Sequence, residues 1–224
     1  MKISSVSNVS YANSAQTVAF AQKPLCENTD NFEKQNCQSN ISEIKISVPV
    51  SSLDFTQSAK EHRQKQVELA RKSAIKVNNY LKEKGYEPCD KFIISGFAVN
   101  PAMRKKAGAR YLQNLNAIAL APFMLDEFGE DACEMFILHE QGHYLHQQKM
   151  KKLGLSFKPK QLTDDEKACV REAYKKILKD NYDKEAELYF ENSLEFVGWY
   201  FTFKNRGNDF GEDVDKIYQK YYGP

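Results

Sequence analysis

This chain of 224 residues lacks several things, and each lack narrows what it can be. No apolar run approaches the ~18 residues of a membrane span, so a membrane partner is not expected. Neither charge sign is in excess: 32 basic residues face 30 acidic ones, for a net charge of +2. No basic stripe interleaved with aromatics stands out, so nucleic acid is not expected as a partner either. The stretch before Ala19-Phe20-Ala21, which resembles a signal-peptidase site, is polar (Ser4 to Ser10) where an apolar core should be, which argues against secretion. Cysteine is sparse and odd in number: Cys26, Cys37, Cys89, Cys133 and Cys169, with no Cys-x-x-Cys pair. That usage suits reduced thiols in a cytoplasm better than a disulfide framework. Histidine is rarer still, with four in all, yet His139, His143 and His146 fall within eight positions.

The hydrophobic content of 42% is slightly low for a globular chain, and the shortfall is N-terminal. Residues 1–55 are rich in Ser, Asn, Gln and Thr, with a weak strand-like stretch at Ile44–Val48, and read as a disordered or loosely docked leader. The folded domain is expected over 56–224. Ser58-Ala59-Lys60-Glu61 has the form of a capping box. Val67, Ala70, Ala74, Val77 and Leu81 then mark one helical face up to a stop at Gly85. Lys91–Phe97, Ala109–Leu112 and Asn116–Leu120 read as strands, with Pro122 suggesting that the last one ends there or has a free edge. A helix is expected from about Asp131 to Gly154. A second capping box, Thr163 to Glu166, opens a helix that buries Val170, Ala173, Tyr174 and Ile177. One more helix is expected from Asp183 to Lys204, and a short one near Asp213–Tyr222. Helix, small sheet, then helices is an α+β order.

The clustered histidines spell His139-Glu140-Gln141-Gly142-His143, His-Glu-x-x-His, within the apolar run Cys133–Leu138. On a helix, residues four apart are neighbours on one face, so both imidazoles can reach one small cation. Glu140 lies beside them on the same helix, placed to approach a water held by the ion without ligating the ion. Ala132, Met135 and Phe136 share the histidine face and argue that it points inward, where two imidazoles without a metal or other partners would be costly. Gly142 can let another backbone approach the site. This donor set suits Zn2+, with His139 and His143 as ligands and Glu140 as general base toward an activated water. His146 is on the correct face, but three histidines along one helix span roughly 10 Å at 1.5 Å per residue, too far to share one ion. It is read as a residue that orients a carboxylate or the helix.

Zinc then needs a third protein ligand. The acidic candidates lie between Asp183 and Glu195. If this stretch is one helix with its apolar face on Ala186, Phe190, Leu194, Val197 and Phe201, Asp183 and Glu187 lie on or beside that face. Glu185 and Glu195 then point away toward solvent. Glu187 is the first choice, with Asp183 as the alternative and Glu185 and Glu191 behind them.

The segment from Asn116-Ala117-Ile118-Ala119-Leu120-Ala121-Pro122 through His139–His146, with Asp183–Phe190 downstream, resembles the gluzincin metallopeptidases, in particular the small ImmA/IrrE-like and minigluzincin type. The resemblance covers about residues 91–204 and is specific at the zinc helix. It implies a zincin-like α+β catalytic domain with a small mixed sheet, the zinc helix and C-terminal helices, an edge strand before the zinc helix, and a glutamate on a later helix that completes the site. That later helix often reads Glu-x-x-Ala-Asp or Glu-x-x-Ala-Asn in such proteins. Here Ala186 matches the Ala and Glu187 the Asp/Asn position, while Asp183 falls where the ligand glutamate should be.

The expected activity is therefore peptide-bond hydrolysis by a zinc metallopeptidase, a hydrolase acting on a peptide or protein substrate. The substrate would lie extended along Ala117, Ile118 and Ala119 by strand addition. The rival expectation is a non-enzymatic zinc-folded regulatory or binding module with a vestigial peptidase site. The intact Glu140 favours the enzyme, since a purely structural site does not need that carboxylate.

Overall fold

The structure, a computed structural model, describes residues 44–48, 57–94, 108–182 and 184–224. Four strands, β1 (Lys45–Ser47), β2 (Lys91–Ile94), β3 (Ala109–Leu112) and β4 (Ala117–Leu120), form one sheet in the order β1-β2-β4-β3. β1, β2 and β4 run parallel, and β3 runs antiparallel to β4 at the edge. Six α-helices accompany them among the described residues: α1 (Gln57–Glu83), α2 (Pro122–Glu127), α3 (Glu130–Lys152), α4 (Asp164–Leu178), α5 (Ser193–Asn205) and α6 (Glu212–Lys220). The architecture is mixed α+β and rich in helix. No helix among the described residues is long and apolar enough to cross a membrane.

Local chemistry accounts for the element ends. α1 buries Ala70, Ala74, Val77 and Leu81 at helical spacing; its start at Gln57 puts Ser58 in the first turn rather than at the cap. The β3–β4 hairpin turns at Asn116, whose φ of 47° lies in the left-handed region that asparagine tolerates. α3 has Glu130 and Asp131 in its first turn and Lys149, Lys151 and Lys152 in its last, matching the helix dipole at both ends. It stops before Gly154, at φ 68°. The capping box at Thr163 is formed: its hydroxyl accepts from Glu166 N–H, and the Glu166 carboxylate accepts from Thr163 N–H.

α3 is the central helix. On one side it shares a core with the sheet and α1, including Phe92, Ile94, Ile118, Leu120, Ile137 and Leu138. On the other, Met135 joins a second core with α4, α5 and α6 around Tyr174, Phe190, Phe196 and Phe203. Each fully buried side chain of this size contributes about 1.5–3 kcal/mol, so α3 is fixed from both sides. Its rear is pinned by a buried amide. Gln141 Nε2 donates to Asn78 Oδ1 (2.7 Å) and to the Cys89 carbonyl (2.8 Å), and its Oε1 accepts from Cys89 N–H (2.8 Å).

Three expectations change here. First, β1 lies inside the segment read as a leader: Ile44 is buried in the first core and Lys45–Ser47 pair with Lys91–Ile93. Residues 44–48 thus pack with the domain expected to begin at 56. The rest of 1–43, including Cys26 and Cys37, lies outside the described residues. Second, β4 has no free edge. Ala117–Leu120 is paired with β2 on one side and β3 on the other and is wholly buried, so Ala117, Ile118 and Ala119 cannot take up a further strand. Pro122 is instead the first residue of α2, where a missing N–H costs nothing. The edge is β3. Third, the stretch 183–204 is not one helix. A 3-10 segment, Lys184–Phe190, is followed by a break, and Asn192 caps α5 anew by accepting from the N–H groups of Leu194 and Glu195.

Candidate metal centre

The His-Glu-x-x-His segment lies in the middle of α3, and His139, Glu140 and His143 are all buried. Their ligand atoms lie within 4.8 Å of one another, so the three residues form a group that could hold a metal ion. The Nε2 atoms of His139 and His143 converge to 3.0 Å. Two neutral imidazoles at that distance can share only one proton, and each ring's Nδ1 is buried without a hydrogen-bond partner among the described residues.

The helix break at Asn192 decides which acid approaches. Restarting the helix at a new cap resets its phase, and Glu195 falls in the first turn of α5 facing α3. Its Oε2 lies 3.5 Å from His139 Nε2 and its Oε1 lies 3.9 Å from His143 Nε2. The expectation that Glu195 points into solvent fails for that reason, although its side chain retains 38% exposure on its open side. Glu187, the first choice for a third ligand, is engaged elsewhere. It accepts from Nε and Nη2 of Arg171 (2.6 and 2.8 Å) and from the Tyr182 hydroxyl (2.7 Å). Asp183 lies outside the described residues. A sequence signal for Glu195 does exist: Asn192-Ser193-Leu194-Glu195 has the spacing of an N-cap residue and an acid three positions on.

Ligand atoms in a tetrahedral shell with bonds of ~2.0–2.1 Å lie about 3.3–3.4 Å apart. The two Nε2 atoms, 3.0 Å apart, are close to that value, and Glu195 brings one oxygen to each ring, Oε2 at 3.5 Å from His139 and Oε1 at 3.9 Å from His143, so its carboxylate stands beside the group that could hold an ion. Glu140 stands slightly back, with Oε1 at 4.0 Å from His139 Nε2. Its Oε2 accepts a short hydrogen bond from the backbone N–H of Tyr111 on β3. Tyr111 in turn ties β3 to α3: its hydroxyl reaches Gln147 and Asn116, and its ring meets Tyr144 edge-on at 5.7 Å.

Charge follows from this packing. Burial pushes the Glu140 carboxyl up to about 7, against the opposing pull of His139. Burial, reinforced by His139, pushes His143 down to about 3. For Glu195 burial acts upward, but the His139 hydrogen bond and the nearby His143 outweigh it and hold the carboxylate low. His139 shows the reverse balance: burial lowers it, and the contact with Glu195 raises it above its ordinary value. The Glu195 carboxylate thus favours charge on His139, while burial keeps His143 neutral.

His146 does not orient a carboxylate. It is buried, its ring meets Phe157 edge-on at 5.2 Å, and the polar group it faces is the Tyr221 backbone rather than a carboxylate.

Comparison with protein-family models, with curated proteins and with solved structures finds no match to this chain. The functional reading therefore stands on the geometry alone.

Proposed function

We propose that this chain is a zinc-dependent peptidase with a zincin-like catalytic domain. His139, His143 and Glu195 would hold the ion, and Glu140 would act as general base. The observation that carries the reading is the convergence of two histidine Nε2 atoms and a carboxylate, with a second carboxylate standing free of the ligand set beside them. Two nitrogens and one oxygen leave a fourth position open, as catalytic rather than structural zinc sites do. The bound ion would supply a Lewis acid and bring a coordinated water's pKa toward ~7.

The remaining work falls to the side chains around the site. Glu140 has one oxygen on Tyr111 N–H and the other turned to the site, so it is oriented to take a proton there. Burial, which raises this carboxyl, favours its taking that proton and passing it to a leaving amine. The substrate would add to β3. Gly108 C=O accepts from Ala121 N–H, and the pairing alternates along the strand, so Ala109 and Tyr111 turn their backbone groups away from β4; Tyr111 N–H is taken by Glu140, which leaves the Ala109 groups and the Tyr111 carbonyl for a substrate strand. An extended peptide pairing with that edge would pass the Glu140 carboxylate.

The test is a Glu140→Gln variant beside the wild type, each assayed for zinc content and for cleavage of a mixed peptide library. Both should bind about one zinc, and only the wild type should cleave. Equal cleavage by the variant would remove Glu140 as the base, and a wild type that takes up no divalent metal would overturn the reading altogether.

A further inference from the structure

A metal-binding histidine usually keeps its orientation through a hydrogen bond from its second ring nitrogen to a carboxylate, carbonyl or water. Here the Nδ1 atoms of both His139 and His143 are buried and unpartnered among the described residues. The rings are instead touched by one short piece of α5. A Cβ placed on Gly198 would lie 2.8 Å from Cε1 of His139, 2.9 Å from Cε1 of His143 and 3.0 Å from Nδ1 of His139. The backbone at Gly198 therefore rests against both imidazoles at once. The next residue, Trp199, packs its indole on the His139 ring with centroids 4.4 Å apart and planes at 41°, and Tyr189 backs that indole at 4.4 Å.

We infer that Gly198 and Trp199 are positioning residues for the two imidazoles: α5 sets by contact the ring orientation that a hydrogen bond commonly sets. The inference rests on the metal reading above. It also accounts for a glycine where local preference opposes one. Gly198 lies inside α5 and has no positive φ, and a glycine in a helix interior is worse than alanine by about 1 kcal/mol. What glycine provides is absence of a side chain at the rings. The neighbouring contact at Gly142 differs in kind. A Cβ there would meet Phe201 at 3.2 Å and the Gly198 Cα at 3.3 Å, core and backbone atoms that cannot swing aside. At Gly198 the obstacles are imidazole edges, which can turn away in metal-free protein but not while both Nε2 atoms hold one ion.

Gly198→Ala should therefore leave the metal-free fold intact and weaken metal binding. The experiment titrates Zn2+ and Co2+, with a competing chelator, into metal-stripped full-length wild type, Gly198→Ala, Trp199→Phe and Trp199→Leu. Circular dichroism and thermal melts of the metal-free proteins are recorded in parallel. Gly198→Ala should bind ten- to a hundredfold more weakly, the range that loss of a ligand's supporting contact commonly costs, with an altered Co2+ visible spectrum. Its metal-free melting temperature should equal or exceed that of the wild type. Trp199→Phe should keep wild-type affinity, and Trp199→Leu should lose about tenfold. Wild-type affinity in Gly198→Ala overturns the role of Gly198, as does a loss of affinity matched by a lowered metal-free melting temperature. Wild-type affinity in Trp199→Leu removes Trp199. A wild type that binds neither ion defeats the metal reading itself, and this inference with it.

Discussion

Replacing Glu195 by Gln tests the assignment on which the site depends. Glu195 is the proposed third ligand, with Oε2 at 3.5 Å from His139 Nε2 and Oε1 at 3.9 Å from His143 Nε2. Structural zinc binding in small peptides is worth about 10–16 kcal/mol over four ligands, or about 2.5–4 kcal/mol for each. At 1.4 kcal/mol per decade, loss of one such ligand should weaken zinc binding by about 60- to 700-fold. Glu187→Gln is the matched comparison. Its carboxylate is spoken for by Arg171 and Tyr182, and both members of the Arg171–Glu187 pair are more than one third exposed, so that variant should lose at most ~1 kcal/mol of stability and none of its zinc affinity. Chelator competition on metal-stripped protein reads both affinities, and urea unfolding reads both stabilities. Loss of zinc from Glu187→Gln with retention by Glu195→Gln would mean that the break at Asn192 does not place the ligand.

Two further outcomes follow from the packing of α3. Burial pushes His146 down to about 4 from an ordinary value near 6.5. Below pH 6.5 the unfolded chain therefore takes up this proton before the folded one does, and stability falls until the pH passes the folded value. Between pH 7 and 4.5 the wild type should lose roughly 2–3 kcal/mol more than His146→Phe by denaturant unfolding of metal-free protein; parallel curves would contradict a buried neutral imidazole. Gln141→Leu should cost roughly 2–4 kcal/mol in the same assay, because the Cys89 N–H and the Asn78 carbonyl oxygen lose a buried partner, while zinc affinity should change little. A loss under about 1 kcal/mol would show that those groups find other partners.

The helix that carries His139 and His143 was legible because its information is local. Four-residue spacing puts His139 and His143 on one face of any helix, and the apolar run before them makes the helix. The capping box at Thr163 and the stop at Gly154 were legible for the same reason, each using groups within a few residues. Glu195 was misread because the whole stretch 183–204 was projected onto a single helical wheel. One break at Asn192 shifts every later residue to a different face, and the cap that makes the break is a short-range signal that competed with a longer apolar pattern. Pro122 does mark the end of β4, but a residue that suits a strand end and a helix start equally well carries no information on whether the strand is paired on both sides.

What the residues alone determined is chemistry at short range: two imidazoles a turn apart, a carboxylate between them, and helices with definite starts and stops. Only the tertiary structure decided that β4 lies inside the sheet, since its pairing with β2 on one side joins segments distant in the chain. It alone brought Glu195 to the histidines and set the Gly198 backbone against their rings, because those contacts depend on how α3 and α5 cross. Helix crossing is fixed by the shapes of two packed surfaces, and no periodicity within either helix encodes it.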